Sequence, residues 1–216
     1  MTDYTPTDMT RVKRSHERGH YDQATVHAIL DASPLCHVGY ILDGRPAVTP
    51  TLQWREGNHV YWHGSSASRM LRRSEGMDVC LTVSLMDGLV LARSAFHHSA
   101  NYRSVMIYGM ATKITDPDAK TQHLKTFVDT VYPDRWDTLR PMTGQELKAT
   151  MILSLPIDEV SAKIRTGDPS DDEADYELPI WAGTLPITQV IGAPIPDPRN
   201  LPGLEMPANL MGVTIG

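Results

Sequence analysis

The chain has 216 residues, of which 41% are hydrophobic and 21% charged, with a formal net charge of −6 at neutral pH. That length holds one sizeable domain or two small ones, and the negative balance argues against a general nucleic-acid binder, which needs a basic face, while leaving room for a local basic patch around Arg69, Arg72 and Arg73. No apolar run approaches the roughly 20 residues of a membrane span, so no membrane partner is expected. Residues 1–18 are polar, lack the apolar core of a secretory signal and read as a loosely ordered arm, which points to the cytoplasm. Asp22 then reads as an N-cap. Val26, Ile29 and Leu30 follow at helical spacing and Pro34 lies just past the end, which predicts a helix over 23–32.

Strands come next. Leu35–Leu42 is apolar, Asp43-Gly44 is a two-residue hairpin signal, and 45–54 returns. Glu56-Gly57-Asn58 turns the chain into a third strand, 60–63. A short helix follows, capped by Ser65 or Ser66, buried along Ala67, Met70 and Leu71, and ended by Gly76. Residues 77–85 alternate as a strand, Asp87-Gly88 reads as a turn, and 89–96 as its return. After a polar segment at 97–101, residues 103–114 form a long strand with Gly109 as a candidate bulge. Six strands joined by tight turns before residue 115 predict an antiparallel barrel rather than an alternating α/β sheet.

Asp116-Pro117 opens a helix to about residue 131, with Leu124, Phe127, Val128 and Val131 on its apolar face. Thr143 and Glu146 form a capping box for another short helix. Residues 151–165 read as a strand interrupted at Pro156, and 168–177 as an acidic surface loop. From Pro186 to Pro207 the chain carries six prolines and little periodicity. An extended tail of polyproline character is expected there, either free or wrapped around a partner subunit.

Cys36 and Cys80 sit in apolar runs and are expected as reduced core residues, since two isolated thiols build neither a zinc site nor a disulfide framework. The nine histidines show H-x-x-x-H spacing at His16–His20 and His59–His63, but neither pair lies on an expected helix, so no metal centre is expected. Four stretches could carry chemistry. Residues 61–71 place Ser65, Ser66, Ser68 and Arg69 at one helix start, which suits either an anionic phosphate group or an ordinary capped turn. Val48-Thr49-Pro50-Thr51 puts a proline inside a strand, marking an edge or a place where backbone faces a ligand. Residues 93–104 are densely polar, as a solvated loop can be, but Arg93 lies in an apolar run, and a buried arginine needs an anionic partner. Trp181 fits the core or the face of an aromatic ligand.

The order and spacing of three motifs resemble the flavin-binding split-barrel proteins related to pyridoxamine 5′-phosphate oxidase, most closely the branch that includes 5-nitroimidazole-resistance proteins. The motifs are Tyr61-Trp-His-Gly-Ser through Ser68-Arg69; Asp87-Gly-Leu-Val-Leu-Ala-Arg93-Ser with His98-Ser-Ala-Asn-Tyr-Arg-Ser104-Val and Gly109; and Lys163-Ile-Arg165 with Gly167, Trp181-Ala-Gly and Leu185-Pro186. The resemblance implies a mainly β (α+β) fold, a six-stranded antiparallel split β-barrel with flanking short helices. It divides the chain into an arm (1–20), an FMN-binding domain (21–190) and a proline-rich tail (191–216). It implies a homodimer with FMN between subunits, Val48, Thr49 and Pro50 along the ring edge, and His63 and Gly64 lining the pocket. Ser65, Ser68 and Arg69 would hold the phosphate, Ser104 would add a polar contact, and Trp181 would reach the flavin from the partner.

Two departures matter. Met70 stands where a lysine is common, which removes one phosphate charge. The arginine and tryptophan motif that grips the vitamin B6 phosphate is replaced by the proline-rich tail, so that substrate is not expected. The function implied is an FMN-dependent oxidoreductase acting on a small molecule, with reduced nicotinamide as donor and His63 as candidate proton donor. The alternatives are a haem-binding protein on the same barrel, with a histidine as axial ligand, and a flavin binder without turnover.

Overall fold

The computed structural model describes residues 3–216. A two-residue strand, β1 (Gly19–His20), precedes α1 (Gln23–Ala32), where the Asp22 carboxylate accepts from the Thr25 N–H at 2.8 Å and Val26, Ile29 and Leu30 are buried. Alternation of apolar residues then builds β2 (Leu35–Leu42), β3 (Arg45–Glu56) and β4 (His59–Ser65). After α2 (Arg69–Ser74) come β5 (Asp78–Leu91), β6 (Ser99–Met110) and β7 (Thr112–Lys113). Helices α3 (Pro117–Val131) and α4 (Gly144–Ala149) lead to β8 (Thr150–Pro156), β9 (Glu159–Arg165) and β10 (Gly183–Pro186). The expected capping box at Thr143 and Glu146 is formed.

The strands are ordered β1-β9-β6-β5-β2-β3-β4-β8-β7, with β10 on β5, and every pairing is antiparallel. β3 belongs to both halves. Its first eight residues pair with β2, and Gln53–Glu56 pair with β4. The two halves wrap one core that includes Val38, Trp62, Leu71, Leu81, Ile107 and Leu155. A second cluster, Trp54, Tyr61, Leu124, Phe127 and Ile152, lies outside the barrel wall, where α3 covers β3, β4 and β8.

Ten strands are present among the described residues against the six expected: those at 19–20, 112–113 and 183–186 are too short to show alternation, 77–85 and 89–96 merge into β5, and 151–165 supplies two. Asp87-Gly88 is not a turn. β5 runs through it with a register shift between Met86 and Gly88, since β6 pairs with it on both sides of the shift. Residues 151–165 are two strands in different halves: β8 pairs with β4, and β9 with β6. The N-terminal arm is not loose. The Tyr4 hydroxyl donates to Asn58, Thr7 to Glu159, and the Val12 N–H to the Tyr21 hydroxyl. Gly109 stays in register opposite Val79 rather than forming a bulge. Cys36 is buried as expected, whereas Cys80 is half-buried on the outward side of β5.

Candidate functional site

The outward side of the sheet offers a platform. Gly39 lies between Val48 on β3 and Cys80 on β5, and Cys80 faces Tyr108 on β6. With no side chain at Gly39, Val48, Cys80 and Tyr108 border a recess of about 490 Å³. In the neighbouring row, His37 lies between Pro50 and Thr82, and Thr82 faces Met106. Val48 and Pro50 are exposed on this side. The Thr49 side chain is turned away from it, its hydroxyl 3.2 Å from that of Tyr40, so only its backbone can serve a ligand here. Ser104 sits further along β6 on the outward side, its hydroxyl donating to the Lys163 carbonyl at 3.4 Å.

The end of β4 supplies a second group. His63 faces outward at the edge of α3, 4.7 Å from the Phe127 ring and 5.8 Å from Trp54 between centroids. Its Nδ1 is buried without a partner, and burial pushes its pKa below the usual value, so the ring is neutral at pH 7. Gly64 faces inward instead. A Cβ there would lie 3.2 Å from Leu71, so the missing side chain seats α2 against the strand rather than lining a pocket. Ser65 accepts from the Ala67 N–H at 3.2 Å. Ser68, not Ser65 or Ser66, is the N-cap of α2, and its hydroxyl makes no capping bond. Of the arginines on α2, Arg73 pairs with Asp43 at 3.0 Å, while Arg69 and Arg72 have no ion-pair partner among the described residues. Met70 is buried, and Ala67 is exposed.

Arg93 has the anion its burial requires. Asp171, with no exposed side-chain surface, accepts from the Arg93 N–H at 2.8 Å and from its guanidinium at 3.0 Å. Burial by itself would raise the Asp171 carboxyl, but these bonds hold it below the ordinary value. Arg93 also lies 4.7 Å from the Tyr176 ring centroid. The acidic loop is thereby fixed to the end of β5. Trp181 stands at 66% exposure, so it is not a core residue, and its ring lies over Gly183, where a Cβ would be 2.9 Å away.

One chain thus brings Val48, Pro50 and Ser104 to an open outward face. It gathers His63, Ser65, Ser68 and Arg69 at the end of β4, and holds Trp181 apart on the approach to β10. His37 and Tyr108, which the sequence reading passed over, complete the surroundings with Cys80 and Phe127, which it took for core residues. The alternation of β2 carries a signal for His37, which shares its face with Leu35, Gly39 and Ile41.

These features define an antiparallel split-barrel protein with an open, recessed outward face. The profile of the pyridoxamine 5′-phosphate oxidase family matches residues 22–164, and the chain belongs to that family. No curated protein matches it. Among solved structures, the flavocytochrome Anf3 from Azotobacter vinelandii is 52% identical, with a TM-score of 0.95 over 99% of this chain and 100% of that one. The FAD and haem binding protein from Mycobacterium smegmatis is 34% identical, with a TM-score of 0.88 over 91% and 97%. A candidate 5-nitroimidazole antibiotic resistance protein from Bacteroides thetaiotaomicron, 24% identical with a TM-score of 0.54 over 66% and 84%, shares the fold. No helix among the described residues is long and apolar enough to cross a membrane.

Proposed function

We propose that this chain is a cytoplasmic redox protein that binds a flavin and a haem and works as a homodimer. The observation that carries the reading is 52% identity, over 99% of the chain, to a protein described as a flavocytochrome. The Mycobacterium smegmatis relative is described as binding FAD, which favours FAD over the FMN implied by the wider family. Both nucleotides share the ring and the first phosphate, so one seat serves either.

The residues fit such groups. Val48 and Pro50 offer an apolar edge to a flat ring, Thr49 its backbone, and Ser104 a hydroxyl. Ser65, Ser68 and Arg69 would hold the phosphate, with Arg69 carrying the charge that Met70 does not supply. His63 presents a neutral imidazole with a nitrogen that no described residue engages. That is the form that ligates iron or hands on a proton. Trp181 would cover the ring from the partner subunit. When bound, the flavin supplies two-electron and one-electron transfer and the haem one-electron chemistry. Reduced nicotinamide is the proposed donor to a small-molecule oxidant. With no separate dinucleotide domain, it would bind transiently over the flavin.

The absorption spectrum of the purified protein tests the reading. Flavin bands together with a Soret band are expected, and mass spectrometry of the nucleotide released by heat separates FAD from FMN. Absence of both chromophores after incubation with FAD, FMN and haem overturns it. Flavin that stays oxidised with NADH and NADPH under anaerobic conditions removes nicotinamide as the donor.

A further inference from the structure

Two apolar surfaces of this chain have no cover within it. The first is the open sheet face, where Leu35, Ile41, Val48, Leu52, Met106 and Met110 are each between 38% and 65% exposed. Helix α3 covers the outward side of β4 and β8 and leaves this half bare. Monomers rarely leave contiguous apolar patches beyond about 300–600 Å².

The second is the tail, which is tied down at both ends. At its start β10 pairs with β5, and the Ile187 N–H donates to the Asp87 carbonyl at 3.0 Å. At its end the Gly216 N–H donates to the Ala32 carbonyl at 2.8 Å, and Val213 and Ile215 close a cavity of about 290 Å³ with Ile191, Leu30 and Trp54. Between these anchors residues 192–207 stand away from the barrel, all exposed, with Ile195 at 94%, Leu201 at 76% and Leu204 at 64%. Pro194, Pro196, Pro198, Pro202 and Pro207 stiffen the segment, which is broken by two turns where the Asn200 N–H donates to the Asp197 carbonyl and the Leu204 N–H to the Leu201 carbonyl. Anchored at both ends, it cannot trail as a free end. The Anf3 structure matches 99% of this chain at a TM-score of 0.95, so the length of chain that carries the segment has a counterpart there.

We infer that residues 192–207 form an arm that docks on the open sheet face of a second copy of this chain. The inference rests on the homodimer reading above and adds the element that makes the contact. Arm and face are both largely apolar; the arm's Asp197 and Arg199 pair with each other at 3.4 Å, and Glu205 is its one other charged residue. Two-fold symmetry gives each copy one arm to offer and one face to receive, so both apolar surfaces are covered at once. A stable interface takes about 800 Å² from each partner, and pairing arm with face makes both count toward it. A proline-stiffened arm is already in its bound shape and loses little entropy on docking. The face also carries Val48, Pro50 and Ser104, so the partner's arm walls the cofactor platform.

A benzophenone amino acid at position 195, in a mixture of isotopically light and heavy copies allowed to exchange subunits, reads the contact directly. Light-to-heavy cross-links from the arm to β2, β3, β5 or β6 are expected; cross-links confined to one copy, or to other surfaces, overturn the inference. Analytical ultracentrifugation of the double variant Ile195→Asp, Leu201→Asp gives a second readout. Its dimer dissociation constant rises at least tenfold over wild type. A variant dimer as tight as wild type overturns the arm alone, whereas a monomeric wild type overturns the homodimer reading with it.

Discussion

A buried guanidinium demands an anion, and Arg93 finds its anion 78 residues along the chain in Asp171. The need is legible in the sequence; the partner is not, because only the fold brings the acidic loop to the end of β5. Met70 shows the converse. It is 8% exposed in the barrel core, where a lysine would bury its ammonium group, so packing accounts for the missing charge. In the function proposed above, Arg69 carries the charged part of the phosphate seat. Arg69→Ala weakens flavin binding by roughly 1.5–3 kcal/mol, about tenfold to a hundredfold, in a fluorescence titration; unchanged affinity places the seat elsewhere. Two histidines set a pH dependence. Burial lowers the pKa of His63, and of His27, whose Nε2 lies 3.2 Å from the Tyr4 hydroxyl. The unfolded chain therefore takes up protons that the folded one does not. Stability is full above about pH 6.5 and falls as pH drops through the window below it. Glu146, held down to about 2 first by Arg140, titrates beneath that window. Urea unfolding at about pH 7.5 and about pH 5.5 shows the loss, smaller in His27→Gln; stability that rises on acidification contradicts it.

At the scale of elements, the sequence reading failed where local chemistry has two outcomes. Asp-Gly between apolar runs is a hairpin signal, but here β6 pairs past it and Arg103 grips the Asp87 carboxylate at 2.9 and 2.7 Å. The dipeptide becomes a bulge in one strand. Gly88 is required by its neighbour: a Cβ there would lie 3.0 Å from the Leu185 carbonyl oxygen and 3.2 Å from Thr184 of β10. Gly88→Ala pushes on backbone that cannot give without unseating β10, at a cost of about 1–3 kcal/mol. Hydrogen exchange of the amides at 183–185 reads the effect, and protection equal to wild type shows that β10 absorbs the methyl group. The Pro156 interruption was visible in sequence, but not that it separates two halves of the barrel, since each flanking run is strand-like and nothing local names its partner strand.

For the whole molecule, the decisive asymmetry is that one outward face is covered by α3 and the other is bare. For the proposed homodimer, sedimentation is expected to give a particle of twice the 24.0 kDa chain mass, and a particle of one chain mass contradicts it. Ile41, 54% exposed on the bare face, tests that surface without touching the core. Ile41→Asp leaves the far-ultraviolet circular dichroism unchanged and weakens the dimer at least tenfold; an equally tight dimer moves the interface to another surface.

Sequence alone determined what depends on near neighbours. The Asp22 and Thr143 caps, the Asp43-Gly44 hairpin, the alternation of β2 to β6 and the motif order that marks the family all act over a few residues, through backbone hydrogen bonds and side-chain period. Tertiary structure alone decided which side of each strand is buried, that β3 serves both halves, that Thr49 and Gly64 turn inward, and that His63 lies against Phe127 with an unclaimed nitrogen. Those outcomes depend on what packs across a strand from a distant part of the chain, and a local pattern is silent about its partner.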